Sequence, residues 1–165
     1  MDHTIRIWFA ILGVALASPA KGADAVSIWG GARGTIILKS DGTVWTWGAN
    51  FYGKLGIGNT NPVLMNVPVE VHGPGNVSYL NSVQAIMGCE FHNVALKNDA
   101  TIWSWGQNAF GQLGDGNTND AWTPIQTGLT ATPPLTNVIK LGGRPYVSVT
   151  PRAFLTEQLQ RQIHK

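Results

Sequence analysis

The chain has 165 residues, enough for one ordinary domain, and only 12% of them are charged, about half the roughly 25% typical of soluble domains. The 11 basic and 9 acidic residues give a net charge of +2 and form no basic run, which argues against nucleic-acid binding because that function needs clustered Lys and Arg. With 20 glycines and 7 tryptophans, the composition favours short strands and tight turns over helices.

The first predicted element is a secretory signal peptide at residues 1–25. Arg6 precedes the apolar run Ile7–Ala17, and small residues follow it, so that cleavage after Ala20 or after Ala25 is possible. The run is too short to span a bilayer, which takes about 20 residues, and its flanks are typical of a signal peptide. A buried strand is the alternative. We expect a secreted, periplasmic or cell-surface protein without a stable membrane span after cleavage.

Apolar runs bounded by Gly, Asp, Asn and Pro predict short strands after this segment. They are Val26–Trp29, Thr35–Leu38, Thr43–Trp47, Val67–Val71 and Val83–Met87. The Asp41-Gly42 pair between the second and third runs predicts a hairpin with a type I′ turn, in which both central residues have positive φ. Strand alternation places Val44 and Thr46 on one face and the two tryptophans on the other. Pro68 cannot donate to a ladder, so we expect its strand at a sheet edge.

A long internal repeat organises the chain. The segment Thr43–Asn61 recurs as Thr101–Asn119, 58 residues later, with 12 of 19 positions identical. Such a recurrence indicates a repeat architecture. The shared motif residues are Trp45, Trp47, Gly48, Asn50, Gly53, Leu55, Gly56 and Gly58 in the first copy, and Trp103, Trp105, Gly106, Asn108, Gly111, Leu113, Gly114 and Gly116 in the second. Their irregular glycine spacing predicts a compact loop with several positive-φ positions.

The repeat divides the rest of the chain. We assign the first repeat to residues 26–86, the second to 87–141 and the start of a third to 142–150, with further strands expected at Pro124–Gln126 and Val138–Leu141. Ala100 replaces Gly42, so this turn is expected to be shifted or looser. The third copy ends at Pro151. Residues 151–165 form a non-repeat tail whose apolar residues at Leu155, Leu159 and Ile163 have a helical period.

The motif Asp41–Gly58, with its W-x-W-G and N-x-[YF]-G-x-L-G-x-G patterns, resembles the RCC1 (regulator of chromosome condensation) repeat family, and Thr101–Gly116 carries the same pattern. The resemblance extends from about Ser27 to Val149. It implies an all-β fold, a β-propeller of four-stranded antiparallel blades, of which this chain has two and the start of a third. A partial propeller exposes faces that a ring would bury. The chain is therefore expected to self-associate through unpaired blades, to borrow strands, or to derive from a truncated larger propeller.

Chemical sites are interpreted as absent. The segment Gly53–Gly58 lacks the order of a phosphate-binding loop, and its recurrence favours a structural turn. Asp115–Asp120 departs from a calcium loop at its sixth and twelfth positions. Cys89 and His92 stand at no metal-ligand spacing, and each is expected to have a structural role. We predict no catalytic residues, no metal and no cofactor.

Binding residues are sought where the two copies differ. Phe51 aligns with Ala109 and Trp122 with Leu64, so Phe51 and Trp122, together with Asp120, are the candidate partner-binding residues. Packing of both aromatic rings beneath their own loops is the alternative. The matched pair Tyr52 and Phe110 is expected to be core or to join blades.

These patterns favour an exported, non-enzymatic repeat protein that binds another protein through its blade loops. The resemblance also implies two narrower roles. Nucleotide exchange or chromatin binding requires a nuclear protein, which the signal segment argues against. Inhibition of a secreted enzyme, as in β-lactamase-inhibitory RCC1-like proteins, fits the compartment. A non-functional fragment of a larger propeller is the remaining alternative.

Overall fold

The computed structural model describes residues 22–31, 33–131 and 134–142. These residues form eight β-strands and two 3₁₀ turns. The strands are β1 (Ala25–Gly31), β2 (Gly34–Lys39), β3 (Val44–Ala49), β4 (Leu64–Glu70), β5 (Val83–Gly88), β6 (His92–Lys97), β7 (Ile102–Gly106) and β8 (Ala121–Gln126). The 3₁₀ turns are Phe51–Gly53 and Pro74–Asn76.

The strands form two four-stranded antiparallel sheets, β1-β2-β3-β4 and β5-β6-β7-β8. The all-β prediction is therefore confirmed, and Pro68 lies on the edge strand β4 as expected. The run Val83–Met87 belongs to the second sheet, where β5 pairs with β6. The second sheet thus begins with β5, most of which lies in the segment 26–86 that was assigned to the first sequence repeat.

The hairpin turn between β2 and β3 differs from the predicted type I′ turn. Only Gly42 has a positive φ, +80°, and its N–H donates to the Lys39 carbonyl at 3.0 Å. This is the pattern of a type I turn followed by one left-handed residue. The Asp41 carboxylate, which accepts from the Thr43 N–H and hydroxyl, stabilises the turn.

The turn at Ala100 was expected to be shifted or looser, and this is wrong. Ala100 has φ +63° and donates to the Lys97 carbonyl at 3.0 Å, so it reproduces the conformation of Gly42. The hydrogen bonds of Asp99 to Thr101 also repeat those of Asp41. These bonds hold the backbone in place although the alanine Cβ disfavours it.

Ala100→Gly is expected to stabilise the protein by about 0.5–1 kcal/mol. Glycine relieves the roughly 1–2 kcal/mol left-handed penalty but loses about 0.4–1 kcal/mol through unfolded-state entropy. Chemical denaturation measures the difference. The matched change Gly42→Ala is expected to destabilise, since its Cβ would also lie 3.3 Å from the Ser82 N. A lower stability of Ala100→Gly than of wild type would contradict the assignment.

The core lies between the two sheets. Register places Trp29, Ile36 and Thr46 side by side on one surface of the first sheet, which we call its rear face. A Cβ on Gly88 would lie 3.0 Å from Ile36 and 3.1 Å from Trp29, so this rear face packs directly on the second sheet. The buried cluster comprises Ile36, Leu38, Val44, Val71, Leu80, Val83, Ile86, Ala95 and Trp105.

The opposite surface of each sheet is its front face. Ile28, Ile37 and Trp45 are register neighbours on the front face of the first sheet, and Ile86, Ala95 and Trp103 are their equivalents in the second. The front face of the second sheet is the one that the first sheet covers. The two sheets therefore stack front to rear, as successive blades.

No strand follows β8 in the described residues. Val138 N–H donates to the Ala100 carbonyl at 3.3 Å, as Val83 N–H does to Gly42 at 3.1 Å. The predicted strand Val138–Leu141 is nevertheless not formed. The predicted third-repeat residues 143–150, the tail 151–165 and most of the signal segment lie outside the described residues. No helix in the described ranges has the length and hydropathy to cross a bilayer.

Candidate interaction surface

Buried asparagines shape the loop that follows each W-x-W strand. Asn50 is 0% exposed; its Oδ1 accepts from Leu55 N–H at 3.1 Å, and its Nδ2 donates to the Asn59 carbonyl at 3.0 Å. Asn108 makes the same two bonds to Leu113 and Asn117 in the second copy. One side chain thus closes each loop, which explains why the asparagine recurs and why the loop is rigid enough to present side chains.

The glycines of the loop occupy backbone conformations that other residues rarely adopt. Gly53 and Gly56 both have φ +72°, and Gly111 and Gly114 have φ +70° and +67°, as the turn interpretation predicted. Lys54, which a phosphate-binding interpretation would need at the surface, is 3% exposed. Burial lowers the pKa of its ammonium, an effect that the nearby Glu90 opposes.

The Lys54 backbone joins the two sheets. Its carbonyl accepts from Trp105 Nε1 at 3.0 Å and from Asn93 Nδ2 at 2.7 Å, both in the second sheet. Lys54 Nζ donates to the Glu90 carbonyl at 3.3 Å. We call this junction the seam. Sequence reasoning did not find it, because a backbone acceptor leaves no trace in residue type.

Three partly exposed aromatic residues lie on or beside the 3₁₀ turn of the first copy. Phe51 and Tyr52 belong to the 3₁₀ turn of the first copy and are 39% and 40% exposed. Trp122, on β8, is 48% exposed, and its ring lies against Gly53, where an added Cβ would stand 2.5 Å from Trp122 Cδ1. The Trp122 carbonyl also accepts from Gly58 N–H at 2.9 Å. We call Phe51, Tyr52 and Trp122 the aromatic patch; two different sheets contribute to it.

Asp120 has a structural partner within its own loop. Its Oδ1 accepts from the backbone N–H of Asn108 at 2.8 Å, where the first copy uses the Val63 carbonyl for Asn50. The Asp115 carboxylate likewise accepts from Asn108 Nδ2 and Asn117 Nδ2. Both carboxylates therefore order the second loop, and Asp120 remains exposed beside it.

The matched aromatic pair has two different environments. The Tyr52 ring lies edge-on to Phe91 of the second sheet, with centroids 5.5 Å apart, so the expectation that it joins blades is confirmed. Phe110 is 81% exposed, and the same expectation is wrong for it. The described residues include no third blade for Phe110 to meet.

Burial holds His92 and Cys89 in their uncharged forms. Burial lowers the pKa of His92 to about 4, so its imidazole is neutral at pH 7. Burial raises the pKa of Cys89 to about 11, so its thiol is protonated. Cys89 is 7% exposed, which agrees with the predicted small buried thiol.

Stability is expected to fall between pH 6.5 and about 4 because His92 titrates at 6.5 when unfolded and at about 4 when folded. The unfolded chain therefore binds more protons in this window, and stability is fully present above it and lost as the pH falls. The loss is roughly 3 kcal/mol at about 1.4 kcal/mol per pKa unit. Urea titrations of wild type and His92→Gln measure it. Equal pH slopes in the two proteins would contradict this origin.

Family models and known proteins match the repeats of this chain. A family model described as the regulator of chromosome condensation (RCC1) repeat matches residues 41–96 and 99–141, and a second RCC1 repeat model matches residues 25–54. The chain is 34% identical over 96 residues to the ultraviolet-B receptor UVR8 of Arabidopsis thaliana, covering 58% of this chain and 20% of the receptor. It is 36% identical over 90 residues to the protein RCC2 homolog of Danio rerio, covering 54% of this chain and 17% of that protein.

Solved structures show the same architecture. Yeast RCC1 (Prp20) in its crystal structure bound to Kap60 matches with a TM-score of 0.52 and 26% identity, covering 66% of this chain and 24% of that chain. Prp20p from Saccharomyces cerevisiae matches with a TM-score of 0.57 and 23% identity, covering 71% and 28%. The second match supports the propeller-blade fold alone. The chain spans a fifth or less of the two curated relatives described above.

Proposed function

This chain belongs to the RCC1 repeat family, and from that premise we propose that it is an exported, non-enzymatic scaffold that binds a partner protein through the aromatic patch. One observation carries the proposal. The Trp122 ring of the second sheet lies against the first copy's 3₁₀ turn, so two repeats build one surface of partly exposed aromatic side chains.

The patch has the properties of a protein-binding anchor. Aromatic side chains supply large contact areas at low conformational cost and dominate the affinity of many interfaces. The loop beneath Phe51 is already closed by Asn50, so little further ordering opposes binding. A related chain, yeast RCC1, has been crystallised bound to the protein Kap60, which is consistent with protein binding by this fold.

The double change Phe51→Ala with Trp122→Ala tests the patch. Wild-type protein is immobilised, the proteins that it retains from culture medium are purified, and the affinity of each for wild type and for the double variant is measured. We expect at least tenfold weaker binding by the variant, the loss of about 1.4 kcal/mol that interface anchors exceed. Val26→Ala, at an exposed position on β1, is the control. The proposal fails if every purified partner binds the double variant as tightly as wild type.

If the chain is exported, we expect the signal peptide to be cleaved after Ala20, so that the mature protein begins at Lys21. Asp24 N–H donates to Ser40 Oγ at 3.1 Å, and the Asp24 carbonyl accepts from Ser40 N–H at 2.8 Å. Cleavage after Ala20 keeps both bonds and all of β1, whereas cleavage after Ala25 removes both bonds and the first residue of β1. Mass spectrometry of protein recovered outside the cytoplasm measures the N-terminus. Retention of intact protein in the cytoplasm would contradict export.

The non-enzymatic part of the proposal is supported by the state of Cys89. A thiolate is the nucleophilic form of cysteine, and a pKa of about 11 keeps this thiol protonated. A panel of esterase, peptidase, glycosidase and phosphatase substrates is expected to give no turnover with purified protein. Turnover that copurifies with the chain and is lost on its unfolding would overturn this part without affecting the binding test.

A further inference from the structure

The front face of the first sheet is open where the same face of the second sheet is closed. Ile28 is 68% exposed, whereas Ile86, its equivalent one repeat later, is 3% exposed. Trp47 is half-buried, whereas its equivalent Trp105 is 0% exposed. The difference arises because the first sheet covers the second, and no described strand covers the first.

The loop Phe110–Gln112, which follows the W-x-W strand of the second sheet, is not covered by another sheet in the described residues. We call this loop the rim. Its equivalent in the first copy is Tyr52–Lys54, which forms the seam. Tyr52 meets Phe91 there and is 40% exposed, whereas Phe110 is 81% exposed. The part of the chain that the structure describes therefore has one half of a seam on each of its two outer sides.

We propose that a second copy of this chain docks head to tail, with its front face against the rim. The established seam specifies the contacts by repeat equivalence. Trp47 of the docked copy takes the place of Trp105, so that its Nε1 donates to the Gln112 carbonyl as Trp105 does to Lys54. Arg33 takes the place of Phe91 and stacks its guanidinium on the Phe110 ring, a favourable cation–π contact.

Docking has a cost that sets the expected affinity. Val138 holds the position beside Ala100 that Val83 holds beside Gly42, and the equivalent residue of a docked copy is Ala25. Residues near Val138 must therefore move to make room for β1 of the docked copy. We expect dissociation constants between about 1 µM and 1 mM, the range of weak and reversible complexes. Because the two surfaces differ, the contact is heterologous, and rings or open arrays follow according to closure.

Two half-blocked variants test the geometry. Ile28→Asp blocks the front face, and Phe110→Asp blocks the rim; both side chains are largely exposed, so the fold is expected to survive, which circular dichroism and thermal unfolding check. Val77→Asp, at a loop position 70% exposed, is the control. Sedimentation of wild type and of each variant is measured from about 1 µM to about 1 mM, the concentrations at which such complexes form.

Wild type and Val77→Asp are expected to associate, each half-blocked variant alone to remain monomeric, and an equimolar mixture of the two to stop at a 1:1 dimer. That dimer arises because the mixture retains one intact front face and one intact rim. Monomeric wild type throughout the range would overturn the proposal. Association of Phe110→Asp alone would also overturn it, since that result indicates front-to-front pairing.

Discussion

Trp105→Ala is expected to destabilise the protein by about 3–5 kcal/mol, the cost of truncating a large buried aromatic side chain. Trp105 is 0% exposed and fills the space between the two sheets. Its Nε1 also donates to the Lys54 carbonyl at 3.0 Å. Since small domains have total stabilities of about 5–15 kcal/mol, the denaturation midpoint is expected to fall sharply.

Two further tryptophan variants separate packing from the hydrogen bond. Trp105→Phe keeps most of the ring and is expected to lose about 1–2 kcal/mol, since the carbonyl retains Asn93 as a donor. Trp47→Ala removes the equivalent side chain from the open front face and is expected to cost less than half as much as Trp105→Ala. Measurements below about 1 µM protein, the lower end of the expected dissociation constants, limit association. Equal losses for Trp47→Ala and Trp105→Ala would contradict the front-to-rear stacking.

Gly106→Ala is expected to destabilise by at least about 2–3 kcal/mol. Gly106 has φ +110°, and a Cβ there would collide with the Phe91 carbonyl oxygen and lie 2.7 Å from His92 Cα. Both atoms belong to the backbone, so the neighbour cannot rotate away. The backbone penalty of about 1–2 kcal/mol therefore adds to an overpacking cost of about 1–3 kcal/mol.

Gly111→Ala is the matched control because it isolates the backbone term. Gly111 has φ +70°, and the nearest atom to an added Cβ is 3.9 Å away. The expected loss is about 1–2 kcal/mol, from conformation alone. Thermal unfolding of the two variants gives the difference. A Gly106→Ala protein as stable as Gly111→Ala would show that the close approach of β6 and β7 is absent.

The W-x-W strand and its glycine-spaced loop were predictable because the same side chains perform the same task twice. The Nε1 of Trp45 donates to the Thr43 hydroxyl, and the Nε1 of Trp103 donates to the Thr101 hydroxyl in the same way. The Asp-Gly pair predicted the hairpin but not its turn type. A two-residue type I′ loop needs two residues with positive φ, whereas the observed loop is one residue longer and needs only one, Gly42. Pro68 predicted the edge position of β4, because proline has no backbone N–H to donate to a second neighbouring strand.

Other features could not be predicted because they depend on tertiary contacts between residues that are distant in the sequence. The run Val83–Met87 has the composition of a last strand and of a first strand alike, and only pairing with β6 decides between them. Phe110 has the same neighbours in sequence as Tyr52, yet its exposure depends on a following blade. Asp120 has the residue type of a surface contact, but it supplies an acceptor that the first copy takes from the Val63 backbone.

The seam at the Lys54 carbonyl bears on how chains of this kind change length. Its donors lie 39 and 51 residues further along, at Asn93 and Trp105, so both partners come from the adjoining repeat and never from a distant one. Duplicating or deleting one whole unit of 58 residues therefore restores every such junction except those at the two ends. Gene duplication can therefore extend the array without redesigning any internal junction.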